Sequence, residues 1–227
     1  MIILEEEGDA ARAEPRNGAE SMEESSEIPN IREYLDGLRR KLRRADTVAP
    51  PAPGTERKAA AVLVPLIQRD GGLHVLYTRR SDRLSSHRGQ VAFPGGRFDH
   101  RDPDLVAAAL RETHEEVGIP PHRVEVLGSF AGRRTHSTEI FVTPFVGMVR
   151  GAPELRPDPK EVAEIFDVPL EALSDPTYRG YHQHANNGHT ARHPAILYAG
   201  QVIWGLTYYL TMTFLELTAS TRNTKRR

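Results

Sequence analysis

The chain has 227 residues, no cysteine, and a formal net charge of −1 from 30 Lys and Arg against 31 Asp and Glu. That length suits one well-cored domain with extensions and is cramped for two. The charge balance excludes recruitment of nucleic acid or an anionic membrane by bulk field, and the lack of cysteine excludes a disulfide scaffold, a thiolate nucleophile and a Cys-ligated metal, which fits a reducing, cytoplasmic setting.

Residues 1–30 are predicted to be a disordered acidic tail: Glu5, Glu6, Glu7, Asp9, Glu14, Glu20, Glu23, Glu24 and Glu27 meet only Arg12 and Arg16, and almost nothing after Leu4 fills a core. The opening lacks a basic n-region and an apolar h-region, so no export signal is read. Over residues 31–46 the apolar Ile31, Tyr34, Leu35, Leu38 and Leu42 recur at helical spacing among Arg32, Arg39, Arg40, Lys41, Arg43 and Arg44. This predicts a basic amphipathic helix docked on its own domain or on a dimer partner. Residues 47–56, with Pro50, Pro51, Pro53 and Gly54, read as a linker.

The main domain is expected over 57–219. Strands at Lys58 to Gln68 and Leu73 to Thr78 flank Asp70-Gly71, a hairpin turn pair. A short strand Val91 to Phe93 runs into Pro94-Gly95-Gly96, and a helix follows from about Asp104 to Val117, stopped by Gly118. Further strands are read at Val124 to Phe130, Ile140 to Val149 and Val162 to Val168, then a turn of helix at Pro169 to Leu173. The stretch Tyr181 to His193, with His182, His184, His189 and His193, reads as a flexible loop; zinc is disfavoured there because no cysteine supports it. The last helix is placed at Trp204 to Leu217, with Trp204 in the core. The apolar run Val202 to Leu215 is shorter than the roughly 20 residues that span a bilayer. Residues 220–227 are expected to be a solvated basic tail. The order of elements predicts an α/β fold with a mixed sheet between helices.

The helix around residue 112 carries the chemistry. At about 100° per residue, Glu112, Glu115 and Glu116 crowd within roughly 100° of arc, opposite an apolar stripe of Val106, Leu110, Thr113 and Val117. Like charges so close repel, and a hard cation such as Mg²⁺ or Mn²⁺ would relieve them; a solvated acidic face is the alternative.

Gly96, Asp102 and Arg111-Glu112-Thr113-His114-Glu115-Glu116-Val117-Gly118-Ile119 resemble the Nudix hydrolase signature G-x5-E-x7-R-E-U-x-E-E-x-G-U. Asp102 stands for the first Glu, with eight residues before Arg111 instead of seven, and Thr113 stands at an apolar position. Upstream, Leu76-Tyr77-Thr78-Arg79-Arg80-Ser81, Gly89 and Phe93-Pro94-Gly95-Gly96 resemble the motif of the coenzyme A pyrophosphatase branch, with Ser85 in place of its second Arg. Similarity extends over roughly residues 57 to 217.

The resemblance implies a Nudix fold, a mixed sheet sandwiched between helices, and a metal-dependent hydrolase of a pyrophosphate linking a nucleoside to another group. Coenzyme A or its acyl forms are the first substrate class; ADP-ribose or another nucleoside diphosphate derivative, or a catalytically silent nucleotide-binding module, are the alternatives. Glu112, Glu115, Glu116 and the carbonyl of Gly96 are implied as ligands of Mg²⁺ or Mn²⁺. Arg111 orients the glutamates and pairs with Asp102. Gly95 and Gly96 are read as glycines so that backbone approaches metal and phosphate. Glu161, with Glu164 in reserve, is the candidate general base. Arg79, Arg80, Ser81, Arg88, Gly89, Phe93, Pro94 and Gly95 are the candidate substrate contacts, and Gly118 is the helix stop. Nucleic acid and membrane are not expected partners.

Overall fold

The computed structural model describes residues 31–52, 54–69, 72–84, 86–135, 139–186 and 189–222. The acidic tail, residues 223–227 of the basic tail, the Asp70-Gly71 turn and Ser85 lie outside the described residues, while residues 220–222, expected in that tail, continue the last helix.

Eleven strands and four α-helices are built from these residues. In chain order they are α1 (Ile31–Arg39), β1 (Ala59–Arg69), β2 (Gly72–Arg80), β3 (Val91–Ala92), β4 (Gly95–Arg97), α2 (Leu105–Val117), β5 (Val124–Ser129), β6 (Arg133–Arg134), β7 (Phe141–Val149), β8 (Val162–Pro169), α3 (Leu170–Ser174), β9 (Arg179–Asn186), β10 (His189–Tyr198), β11 (Gln201–Trp204) and α4 (Gly205–Arg222). The main sheet runs β3-β2-β1-β7-β5, with β4 added to β1, β6 to β7 and β8 to β2. Only β1 and β7 pair in parallel among the described strands; every other ladder is antiparallel, so the sheet is mixed as expected.

β1 is central and is covered on both faces, which is why it reads as a continuous apolar run instead of an alternation. Its Ala61 and Leu63 pack with Phe145 against Leu105, Ala108 and Ala109 of α2. On the opposite face, Val64, Leu66, Val75, Tyr77 and Val146 meet Leu38, Leu170, Leu173, Leu210 and Phe214. The result is an α/β/α sandwich, with α2 on the side that bears the acidic residues.

Three expectations are corrected. The first helix ends at Arg39, well before residue 46, because Arg43 leaves it to pair with Ser129 on the sheet edge, exchanging two backbone bonds of 2.8 Å. Gly128, at φ +148°, makes room for this: a Cβ there would lie 2.6 Å from the Arg43 carbonyl. The histidine stretch is a β-hairpin, β9–β10, extended by β11 into a second, three-stranded sheet. Trp204 ends β11, half-buried, and does not begin the last helix; its indole lies 4.6, 4.7 and 5.3 Å from the rings of His182, His184 and His193. No described helix is long and apolar enough to cross a membrane.

Leu38 is fully buried between α1, α4 and the sheet. Leu38→Ala should therefore cost about 2–5 kcal/mol of stability, read from urea unfolding; an unchanged midpoint would mean that α1 contributes nothing to the core.

Candidate active site

The site is built on the second half of α2. The helix starts at Asp104, whose side chain accepts from the Ala107 N–H, and stops at Gly118, in the left-handed region at φ +79° with its N–H on the His114 carbonyl. Three consecutive alanines, Ala107 to Ala109, favour the helix and let it lie close to the sheet. Thr113 is fully buried, and its hydroxyl bonds back to the Ala109 carbonyl at 2.7 Å, which lets a polar residue occupy an apolar position.

Glu112 and Glu116 point inward and Glu115 outward. Glu116 is 5% exposed, although it sits in the last turn, where the helix macrodipole disfavours an anion. Burial pushes its carboxyl up to about 8, despite a 3.1 Å bond from the Gly95 N–H and the nearby charge of Arg80. Burial also raises Glu112, against the pull of Arg111.

The Gly95-Gly96 pair has a packing reason distinct from the expected approach to metal and phosphate. Gly95, at φ +147°, passes so close to β1 that a Cβ would lie 2.4 Å from the Ala61 carbonyl. A Cβ on Gly96 would lie 2.4 Å from the Glu112 carboxyl carbon. The backbone of β4 is thus one wall of the acidic site.

Arg111 ties the site together. Its Nε and Nη2 clasp the two oxygens of Asp102, each at 2.9 Å, while Nη1 reaches Glu112 at 2.9 Å and Glu115 at 3.1 Å. The Arg111 guanidinium beside it holds Asp102 below the usual carboxylate range. Among the described residues no three acidic or imidazole groups already converge as a closed metal cage. The carboxylates are gathered around one place, and Arg111 shares two of them.

Glu161 arrives from the loop before β8. That loop docks on the end of α2 through the Arg156 N–H on the Val117 carbonyl (2.9 Å) and the Asp158 N–H on the Glu116 carbonyl (3.0 Å). Glu161 is exposed, yet its charge acts on both Glu112 and Glu116. Its carbonyl accepts from the Ser81 N–H at 2.8 Å, so Ser81, itself buried, lies under this loop.

Several residues expected at the substrate surface lie elsewhere. Phe93 is a core residue, 3% exposed and stacked on Tyr77 at 4.8 Å, and Pro94 is buried with its carbonyl on the Leu63 N–H. Both sit where they do because the strand before β4 must be clamped on β1. Arg79 is bound to Glu164, which also accepts from Gln201, so Glu164 is committed to ion pairing and not available as a reserve base. Alternation along paired strands carries this, since Arg79 and Glu164 are cross-strand partners. Arg88 is exposed and turned back on the Leu84 carbonyl, and Gly89 turns the loop at φ +65°.

Because the Glu116 carboxyl titrates at about 8 when folded and at about 4.3 unfolded, the folded state holds the extra proton between those values. Its contribution is therefore present at the acid end and lost as pH rises. With a chelator present, wild type should lose stability relative to Glu116→Gln between pH 5.5 and 8, read from denaturant midpoints. A difference that stays constant across that range would show Glu116 to be ionised throughout.

A model of the NUDIX domain family matches residues 57–187. The chain is 44% identical over 162 residues to a protein of Photorhabdus laumondii called "Uncharacterized Nudix hydrolase NudL", covering 70% of this chain and 85% of that one. It is 40% identical over 181 residues to the protein of that name in Yersinia pestis, covering 78% and 89%. Among solved structures, it is similar in fold to the Nudix hydrolase RenU of M. smegmatis, with TM-score 0.50 and 21% identity over 72% of this chain and 87% of that one.

Proposed function

The chain belongs to the Nudix hydrolase family, which acts on phosphoric anhydrides of nucleoside diphosphate derivatives, and from that premise we propose that its substrate is coenzyme A or an acyl-coenzyme A. The products are then adenosine 3′,5′-bisphosphate and 4′-phosphopantetheine or its acylated form.

The observation that carries the proposal is the run from Leu76 to Gly96. It resembles the coenzyme A pyrophosphatase motif, with Tyr77 for its second Leu and Ser85 for its second Arg, and it leads along β2 and β3 straight into Gly95, whose N–H bonds Glu116. Arg83 and Arg88, which follow β2, are exposed, and a guanidinium fork suits the phosphates of such a substrate.

The family's divalent ion, Mg²⁺ or Mn²⁺, fits this donor set. Burial raises both inward carboxylates, Glu112 even with Arg111 beside it, so a further cation would be welcome there, and hard oxygens suit these ions. Glu112, Glu115, Glu116 and the Gly96 carbonyl would hold it. Bound there, it would neutralise phosphate charge and make a water easier to deprotonate. Arg111, fixed by Asp102, keeps Glu112 and Glu115 in place. Glu161 takes the proton of the attacking water, and the docking of its loop on α2 holds it over the acidic pair.

A panel of coenzyme A, acetyl-coenzyme A, dephospho-coenzyme A, ADP-ribose and dinucleotides, with Mg²⁺ and Mn²⁺, tests the substrate. Coenzyme A should exceed dephospho-coenzyme A by roughly ten- to a hundredfold in kcat/KM, the worth of a charge-assisted contact to the 3′-phosphate. Faster turnover of ADP-ribose than of either would overturn the assignment. Glu112→Gln and Glu116→Gln should each lower kcat at least about a hundredfold. For Glu161→Gln the diagnostic is the acid limb of the pH profile, which should vanish; an unaltered limb removes Glu161 as the base.

A further inference from the structure

The hairpin of β9 and β10 carries a cluster that no step of the pyrophosphate chemistry uses. His182 and His184 are two residues apart on β9 and so share a face, and His193 on β10 is the cross-strand partner of His182. All three are half-buried, with ring centres 6.3 Å apart for His182 and His184 and 6.4 Å apart for His184 and His193. Trp204, the only tryptophan of the chain, lies against each of them.

Nothing else claims the imidazoles. Their ring nitrogens make no hydrogen bond or ion pair with any described residue, and the sequence from Pro176 to Leu215 contains no Asp or Glu that could pair with them. Arg192, next to His193 in sequence, turns to the opposite face, where its guanidinium lies 3.6 Å over the Tyr181 ring. Burial, and then the closeness of His184 and His193, holds His182 below the usual imidazole range, so this ring keeps its lone pair at neutral pH. Three imidazoles, two from one strand and one from its neighbour, are a donor set for a borderline divalent ion. Cysteine is not required, since zinc accepts three histidines with a fourth position left to water. The rings rest on the indole and do not meet at one point, so no closed trio of ligands is present among the described residues. Two imidazoles on one tetrahedral zinc stand about 5 Å apart, centre to centre. Closing the cluster therefore asks for about an ångström of side-chain rotation and no change of strand register.

We propose that His182, His184 and His193 form a second metal site, one that takes Zn²⁺ in preference to Mg²⁺ and clamps β9 to β10 beside Trp204. It differs from the acidic site in the chemistry of its ligands: α2 offers hard carboxylate oxygens, and the hairpin offers imidazole nitrogens to a softer ion. The site depends neither on the substrate nor on the pyrophosphate reaction. An ion that binds the folded hairpin more tightly than the unfolded chain stabilises the protein by mass action. The rings leave the indole as they turn to the ion, so the emission of Trp204 reports the event.

The test uses the full chain, stripped with a chelator and exchanged into buffer with millimolar Mg²⁺ to occupy the acidic site. Zinc chloride is titrated calorimetrically and, in parallel, against the Trp204 emission. A single equivalent should bind at micromolar concentration or below, carry the emission change to its end point and raise Tm. H182Q, H184Q and H193Q should each weaken Zn²⁺ binding at least about tenfold and abolish the emission change, whereas E116Q, altered in the acidic site, should keep both. Should one histidine variant fail to fold, the other two carry the comparison. Co²⁺ in place of zinc should give the strong visible bands of a four-coordinate ion. Binding that survives the histidine substitutions, binding that is lost in E116Q, or the weak bands of six-coordinate cobalt each overturns the proposal. Uptake without a defined stoichiometry means an adventitious ion only, and overturns it too.

Discussion

A carboxylate buried at the wrong end of a helix is the constraint around which this domain is arranged. Glu116 has lost its water, faces the negative end of α2 and has one N–H donor, that of Gly95. As an isolated fold element this would be poor design, since a hydrophobic residue there would pack without the penalty. It makes sense as a place left short of positive charge. The neighbouring backbone is shaped to the same end: Gly96 has no Cβ because the Glu112 carboxylate occupies that space, and Gly95 has none because β1 does. The central strand, the glycine pair and the acidic helix face therefore constrain one another, and none can shift alone.

The Asp102–Arg111 clasp shows how a departure from a motif is absorbed. An aspartate is one methylene shorter than a glutamate, and here one more residue separates it from the arginine. The turn that precedes α2 takes up the difference: the Asp102 N–H bonds the Asp99 carbonyl at 2.8 Å, and its carboxylate accepts from the Asp99 N–H at 2.9 Å. The carboxylate is thereby fixed from behind and meets Arg111 with both oxygens. That leaves the Nη1 nitrogen to reach Glu112 and Glu115, which would otherwise repel each other.

Local chemistry made the acidic helix legible in the sequence. Asp104 and Gly118 cap it, the alanines favour it, and the interval between glutamates places them on one arc; each signal acts within a few residues. The hairpin of β1 and β2 was legible for the same reason. What was hidden depends on contacts between distant segments. Nothing in Arg43 announces a bridge to Ser129, so helical periodicity overran its true end. The strands β9 and β10 carry few of the branched residues that mark a strand. His182, His184 and His193 gather on one sheet face around Trp204, a residue whose aromatic bulk read as core. Phe93 is a parallel case: a motif residue beside the site whose ring faces away from it, into the packing under α4.

The loop that delivers Glu161 joins a structural need to a functional one. The last carbonyls of a helix have no partner within it, and in α2 those of Glu116 and Val117 receive the N–H groups of Asp158 and Arg156. Gly118 allows the close approach, since a Cβ there would already press on Arg156 at 3.2 Å. The capping that completes α2 thus sets the position of Glu161, a residue remote from the helix in sequence, relative to Glu112 and Glu116. The Ser81 N–H, at the end of the strand that carries Arg80, holds the same loop from the other side through the Glu161 carbonyl. The acidic helix, the arginine strand and the loop carboxylate are in this way joined through backbone bonds, so that joining draws on none of the Glu112, Glu116 and Glu161 carboxylates.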